Sequence, residues 1–87
     1  MGSYKVEFKK SAKKALDHLP GMIRNQLALK IYSLKEVPRP DGCKKLNGEI
    51  DLYRIRVGDY RIVYLIQDGK LIVIVVKIGH RRDVYRD

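Results

Sequence analysis

Residues 51–85 read DLYRIRVGDYRIVYLIQDGKLIVIVVKIGHRRDVY, and this stretch decides the fold. Three runs rich in β-branched and aromatic residues are separated by two turn signals, Val57-Gly58-Asp59-Tyr60 and Gln67-Asp68-Gly69-Lys70. Asp-Gly between apolar runs predicts a tight hairpin, because both central positions tolerate positive φ; Gly-Asp is a weaker form of the same signal. A two-residue loop at Gly58-Asp59 sets Val57 opposite Tyr60, and therefore Arg56 opposite Arg61. Strand side chains alternate between faces, so Arg54, Arg56 and Arg61 share one face. Like charges directly opposite each other destabilise a sheet. The arrangement makes sense when something anionic lies between them. After the third strand, Gly79-His80-Arg81-Arg82 adds more positive charge.

The rest of the chain points the same way. It has 87 residues, enough for a single domain (1–87) with a small core, and carries 19 basic against 10 acidic residues for a net charge of +9. That balance predicts an anionic partner, most often nucleic acid. No apolar run is long enough to span a bilayer, and the N-terminus lacks the apolar segment of a signal peptide. The one cysteine, Cys43, has no partner for an internal disulfide. A reducing, cytoplasmic setting without a membrane partner is expected.

Upstream, Tyr4, Val6 and Phe8 alternate with Lys5 and Glu7, as in a short strand with one buried face. Ser11 is a candidate N-cap for a helix carrying Ala12, Ala15, Leu16 and Leu19 and ending near His18. Pro20 suits the first position of a second helix, whose stripe is Ile23, Leu27, Ile31 and Leu34. Residues 37–50, VPRPDGCKKLNGEI, read as a basic loop. The expected fold is α+β: an antiparallel β-sheet of about four strands in β-α-α-β-β-β order, covered on one face by an αα-hairpin. The helix-side face would carry Tyr53, Ile55, Val57, Tyr60, Ile62, Tyr64, Leu71, Val73 and Val75. The other would carry the three arginines with Val63, Leu65, Ile72, Ile74 and Val76. Both are apolar over much of their area, so a protein partner covering the second is expected.

Clustered arginines suit RNA chemistry. An RNA strand carries its own nucleophile, the 2′-hydroxyl, beside each phosphate. Cleavage needs that hydroxyl aligned and deprotonated, cations around the pentavalent phosphorane, and an acid for the departing 5′-oxygen. A guanidinium binds two phosphate oxygens at once. His18 and His80 are far apart and Cys43 has no companion at ligand spacing, so no metal site and no cofactor are expected. His80 is the one side chain near the arginines that titrates near neutrality, a candidate acid or base.

The order strand, two helices, three strands resembles the RelE/ParE toxin superfamily of toxin–antitoxin systems. The resemblance spans nearly the whole chain and is most specific at LYRIRVGDYRIVY (52–64) and IGHRRDVY (78–85). It implies an endoribonuclease of the RelE kind, which cuts messenger RNA in the ribosomal decoding site without a metal and leaves a 2′,3′-cyclic phosphate. It assigns Arg54 and Arg56 to the family's paired basic positions, Arg61 to phosphate binding, Arg81 to the arginine after the last strand and Tyr85 to the terminal tyrosine. Lysine stands at the first two positions in the best-known members. Arginine stays protonated and is a poor base, so the identity of the base is left open. The resemblance also implies a cognate antitoxin, and contacts to the ribosome from Lys44, Lys45, Arg82 and Arg86. Tyr85 could stack on a base. Two alternatives remain: a ParE-like gyrase poison without nuclease activity, and a basic RNA-binding module.

Overall fold

The computed structural model describes residues 3–48 and 50–80. The elements run β1 (Lys5–Phe8), α1 (Lys10–Asp17), α2 (Gly21–Ser33), β2 (Lys44–Asn47), β3 (Leu52–Val57), β4 (Tyr60–Gln67) and β5 (Ile72–His80). The strands form one sheet in the order β1-β5-β4-β3-β2, with β1 parallel to β5 and every other pair antiparallel. The fold is α+β as expected, but the sheet has one strand more and is mixed rather than antiparallel, because β1 enters beside β5 in the same direction. β2 lies inside the stretch read as a loop. Its four residues, KKLN, offer one apolar side chain, so no alternation announces it. It is an edge strand, where lysine is a common guard against further pairing.

The two helices pack on one face. Ala12 and Leu16 of α1, then Leu27, Ile31 and the C-cap residue Leu34 of α2, meet Tyr53, Ile55, Ile62, Tyr64, Ile66, Val73, Val75 and Ile78 of the sheet. The helical stripe and the alternation of the strands thus meet in one core. The capping differs from expectation. α1 begins earlier, with Lys9 at its N-cap and Ser11 inside the helix, and Pro20 is the N-cap of α2 in an extended conformation rather than its first helical residue. Neither N-cap makes a side-chain hydrogen bond.

The turn between β4 and β5 is also different. Asp68–Lys70 forms a short 3₁₀ turn, and Gln67 pairs with Ile72 across it. The left-handed residue is Leu71 at φ +55, and Gly69 keeps a negative φ. Leu71 therefore belongs to the turn and is exposed, not on the helix-side face. Val73 and Val75 occupy that face as expected.

Candidate active site

The β3–β4 hairpin closes through Gly58 at φ +60, a conformation that glycine adopts without the Cβ clash. Its register pairs Val57 with Tyr60, Arg56 with Arg61 and Arg54 with Val63. Paired residues share a face. Tyr53, Ile55, Ile62 and Tyr64 fill the core, so the three arginines point to the side of the sheet away from the helices. Arg54 and Arg61 are buried, at 6% and 5% exposure, while Arg56 is exposed. Arginine is seldom so deeply buried, and two of these three are. No ion pair among the described residues involves Arg56.

Neighbouring strands extend the cluster into two rows. Lys44 of β2 pairs with Arg54, and Lys77 of β5 with Val63, so one row reads Lys44, Arg54, Val63, Lys77. The next reads Arg56, Arg61, Gly79. Glycine adds no side chain to that row. Past the end of β2, Lys30 of α2, Asp41, Lys44, Arg54 and Arg56 line a groove of about 370 Å³.

A β-bulge sets this composition. Val63 pairs with Lys77 but Tyr64 pairs with Val75, so Val76 is an extra residue in β5. Beyond it the two faces exchange. Lys77 and Gly79 join the arginine face, Ile78 turns into the core at 7% exposure, and His80 pairs with Tyr60. Plain alternation would have put Val76, Ile78 and His80 among the arginines. Instead the His80 ring meets the Tyr60 ring edge-on, 5.5 Å between centroids, on the helix side. The expectation of His80 within the arginine cluster is therefore not met by the register. Lys77 stands on the arginine face, where the sequence reading did not place it. Its signal is the doublet Val75-Val76, two apolar residues in a row before a lysine, where a regular strand would alternate.

The remaining candidates divide. Lys44 stands with the arginines. Lys45 pairs with Tyr53, its ammonium 6.0 Å from that ring's centroid and 3.3 Å from Asp51, so it faces the other way. Arg81, Arg82, Tyr85 and Arg86 lie outside the described residues. Among the described residues no group of three His, Cys, Asp or Glu is placed to hold a metal ion.

The carboxylates Asp51 and Asp68 gather at the opposite end of the sheet. Arg39 donates to Asp68 at 2.8 and 3.3 Å and to the Tyr53 hydroxyl at 2.9 Å, and its guanidinium lies 5.1 Å from the Tyr53 ring centroid. The Tyr4 hydroxyl donates to Asp68 at 2.7 Å. The Arg39 guanidinium, followed by the Tyr4 hydroxyl, holds the Asp68 carboxyl below the usual carboxylate range. Arg39, which reads in sequence as part of a basic loop, is thus engaged in tying that loop to β3 and the β4–β5 turn.

The profile described as "ParE toxin of type II toxin-antitoxin system, parDE" matches residues 6–85. The chain is 34% identical to the mRNA interferase toxin RelE of Escherichia coli K12, over 98% of this chain and 93% of that protein. It is 31% identical to the putative toxin RelE1 of Methanocaldococcus jannaschii, over 97% of each. Among solved structures, the archaeal RelE–RelB complex from Pyrococcus horikoshii OT3 superposes with a TM-score of 0.82 at 31% identity, covering 91% of this chain and 96% of that one. The intact E. coli RelBE toxin–antitoxin complex gives a TM-score of 0.79 at 34% identity, covering 90% and 96%. The hairpin carrying the arginine rows falls inside the matched region, and with that agreement of sequence and fold the chain belongs to the RelE/ParE toxin superfamily of type II toxin–antitoxin systems, on its RelE-like branch.

Proposed function

We propose that this protein is the toxin of a type II toxin–antitoxin pair and an endoribonuclease that cleaves messenger RNA. The observation that carries the reading is the hairpin register, which sets Arg56 against Arg61 with Arg54 and Lys44 in the next row. Such a surface holds a phosphodiester. The 2′-oxygen attacks phosphorus, the bond from phosphorus to the 5′-oxygen breaks, and the products are a 2′,3′-cyclic phosphate and a 5′-hydroxyl. Negative charge builds on the non-bridging oxygens as the phosphorane forms. Fixed guanidinium groups stabilise that charge more than they stabilise the ground state. Arg54, Arg56 and Arg61 act as cations, since arginine keeps its proton. The family pattern adds Arg81 as a further cation and Tyr85 as a stacking partner for a base.

The RelE named above is called an mRNA interferase, and its relatives crystallise with RelB antitoxins. Two finer readings go with this one, the first implied by the family resemblance and the second supported by the RelB complexes. The messenger is cut while bound in the ribosomal decoding site, where Lys44, Lys45, Arg82 and Arg86 meet ribosomal RNA. A cognate antitoxin covers the toxin and silences it. The test is induction with and without the antitoxin gene, followed by mapping of messenger 5′ ends. New ends within translated codons are expected from the toxin alone. Intact messengers in arrested cells would overturn the reading.

A second reading has one observation in its favour: the matching profile carries the ParE name. A gyrase poison would leave messengers whole and block supercoiling by purified gyrase, so the same preparation assayed on both targets separates the two.

A further inference from the structure

Lys77 does more than lengthen the cationic row. β1 pairs with β5 only over Ile72–Val75, so the outer edge of β5 beyond that point is left to α1. Between them runs a groove of about 290 Å³ lined by Ser11, Ala12, Val76, Lys77 and Ile78. Ser11 also lines a second groove, of about 540 Å³, with Lys10, Lys13, Lys14 and Asp17. Ser11 lies on the wall of both, so the two grooves adjoin there and together form a trough. It opens at the sheet edge beside the arginine rows and continues along α1 past three lysines. Lys10, Lys13, Lys14 and Lys77 are all exposed. Among the described residues Asp17 is the only acid on the trough, and it is engaged with Lys13 at 3.1 Å. Lys10, Lys14 and Lys77 take part in no ion pair among the described residues.

We propose that this trough is a second phosphate-binding subsite, which takes the backbone of the RNA strand as it continues from the phosphate on the arginine rows. The inference rests on the RNA-cleaving reading and adds a strand path to it. The bulge at Val76 is what builds it: shifting the register by one puts Lys77 at the junction of sheet and trough, where regular alternation would leave an apolar Val76. Lysine suits such contacts, which need charge and reach but no sequence reading.

Binding of two RNAs separates the possibilities, a dinucleotide and an octanucleotide, both 2′-O-methylated to block turnover. Wild type is expected to bind the longer RNA more tightly. The triple variant Lys10→Gln, Lys14→Gln, Lys77→Gln should lose roughly tenfold of that gain, and its log–log salt slope for the octanucleotide should flatten by about two units. Lys77→Arg in the wild-type background should keep the gain. A triple variant that retains the full gain, or a wild type that shows none, overturns the trough. Arg61→Ala distinguishes the two levels. If it weakens binding of both RNAs while the triple variant keeps the gain, the trough alone falls. If Arg61→Ala binds both like wild type, the arginine-row reading falls and the trough with it.

Discussion

Arg56 and Tyr64 sit on opposite faces of one hairpin and illustrate opposite demands. Arg56 faces Arg61 directly across the strands, so the native register holds two cations together. Replacing Arg56 by threonine, a good strand former, removes the repulsion and should stabilise the protein by about 0.2–1 kcal/mol. The same change should lower messenger cleavage by roughly 10²-fold, the scale for losing one preorganised charge at a transition state. Urea denaturation and 5′-end mapping on one preparation check both halves; loss of stability together with loss of activity would argue for an ordinary structural arginine. Tyr64 has no exposed surface, stacks on Tyr53 at 6.0 Å and donates its hydroxyl to the Pro38 carbonyl at 2.8 Å. Burial pushes its phenol well above the usual tyrosine range, with Cys43 adding to the shift. The fold therefore favours the neutral phenol. This stabilisation is fully present below the unfolded pKa of about 10 and is lost as pH rises above it towards the folded value. Tyr64→Phe should cost about 1 kcal/mol at neutral pH, from the lost hydrogen bond, and should remove this part of the alkaline loss. Denaturation midpoints between pH 7 and 11 measure it.

The β3–β4 hairpin is the element on which the site depends, and its loop is what holds the register. Gly58 is at φ +60 with open space around its Cβ position, so Gly58→Ala meets no neighbour but forces a left-handed alanine. That costs about 1 kcal/mol or more. Cleavage should fall further than stability accounts for, because a loosened loop lets Arg56 drift from Arg61; equal losses in folded fraction and in rate would refute this. The hairpin was legible in the sequence because its loop is short and its flanks alternate. The helices were legible too, since the stripe through Leu27, Ile31 and Leu34 has one period throughout. Three features were not. β2 is short and mostly polar, so pairing with β3 makes it a strand, not its own pattern. The Asp68-Gly69 pair suggests a two-residue loop, but the chain uses four residues and places its strained conformation at Leu71. The bulge at Val76 inserts one residue where every local preference is for a plain strand, and that shift moved His80 off the arginine face and Lys77 onto it. A period-2 reading has no means of registering an odd residue, so the assignment of residues to faces held on β3 and β4 and failed on β5 beyond Val75.

At the scale of the whole molecule, charge is separated along the strands. The Arg56–Arg61 row lies at one end of β4 and the Asp68 turn just past the other, with Arg61 and Asp68 seven residues apart, or ~23 Å at the rise of a strand. At the Asp68 end, Arg39, Tyr4, Asp51 and Lys45 join β1, the α2–β2 segment, β2 and the β4–β5 turn. That distance exceeds the screening length of ordinary salt, about 8–10 Å, which decouples the two ends. Folding should therefore answer to acid at one pole while function answers to phosphate at the other. The Asp68 carboxyl is held down by Arg39 and Tyr4, so its contribution to stability is present above the unfolded carboxylate pKa of about 3.9 and is lost as pH falls through the lower folded value. Asp68→Asn should lower stability at neutral pH and flatten the acid limb of the stability curve below about pH 4. It should leave cleavage by the folded protein unchanged, because the partners of Asp68, Arg39 and Tyr4, lie at the far end of β4 from the Arg56–Arg61 row. Circular dichroism midpoints from pH 2 to 7, with cleavage measured at neutral pH where the variant remains folded, give the two readouts. A variant that keeps the wild-type acid limb removes Asp68 from the account, and one that loses cleavage while folded shows the poles to be coupled.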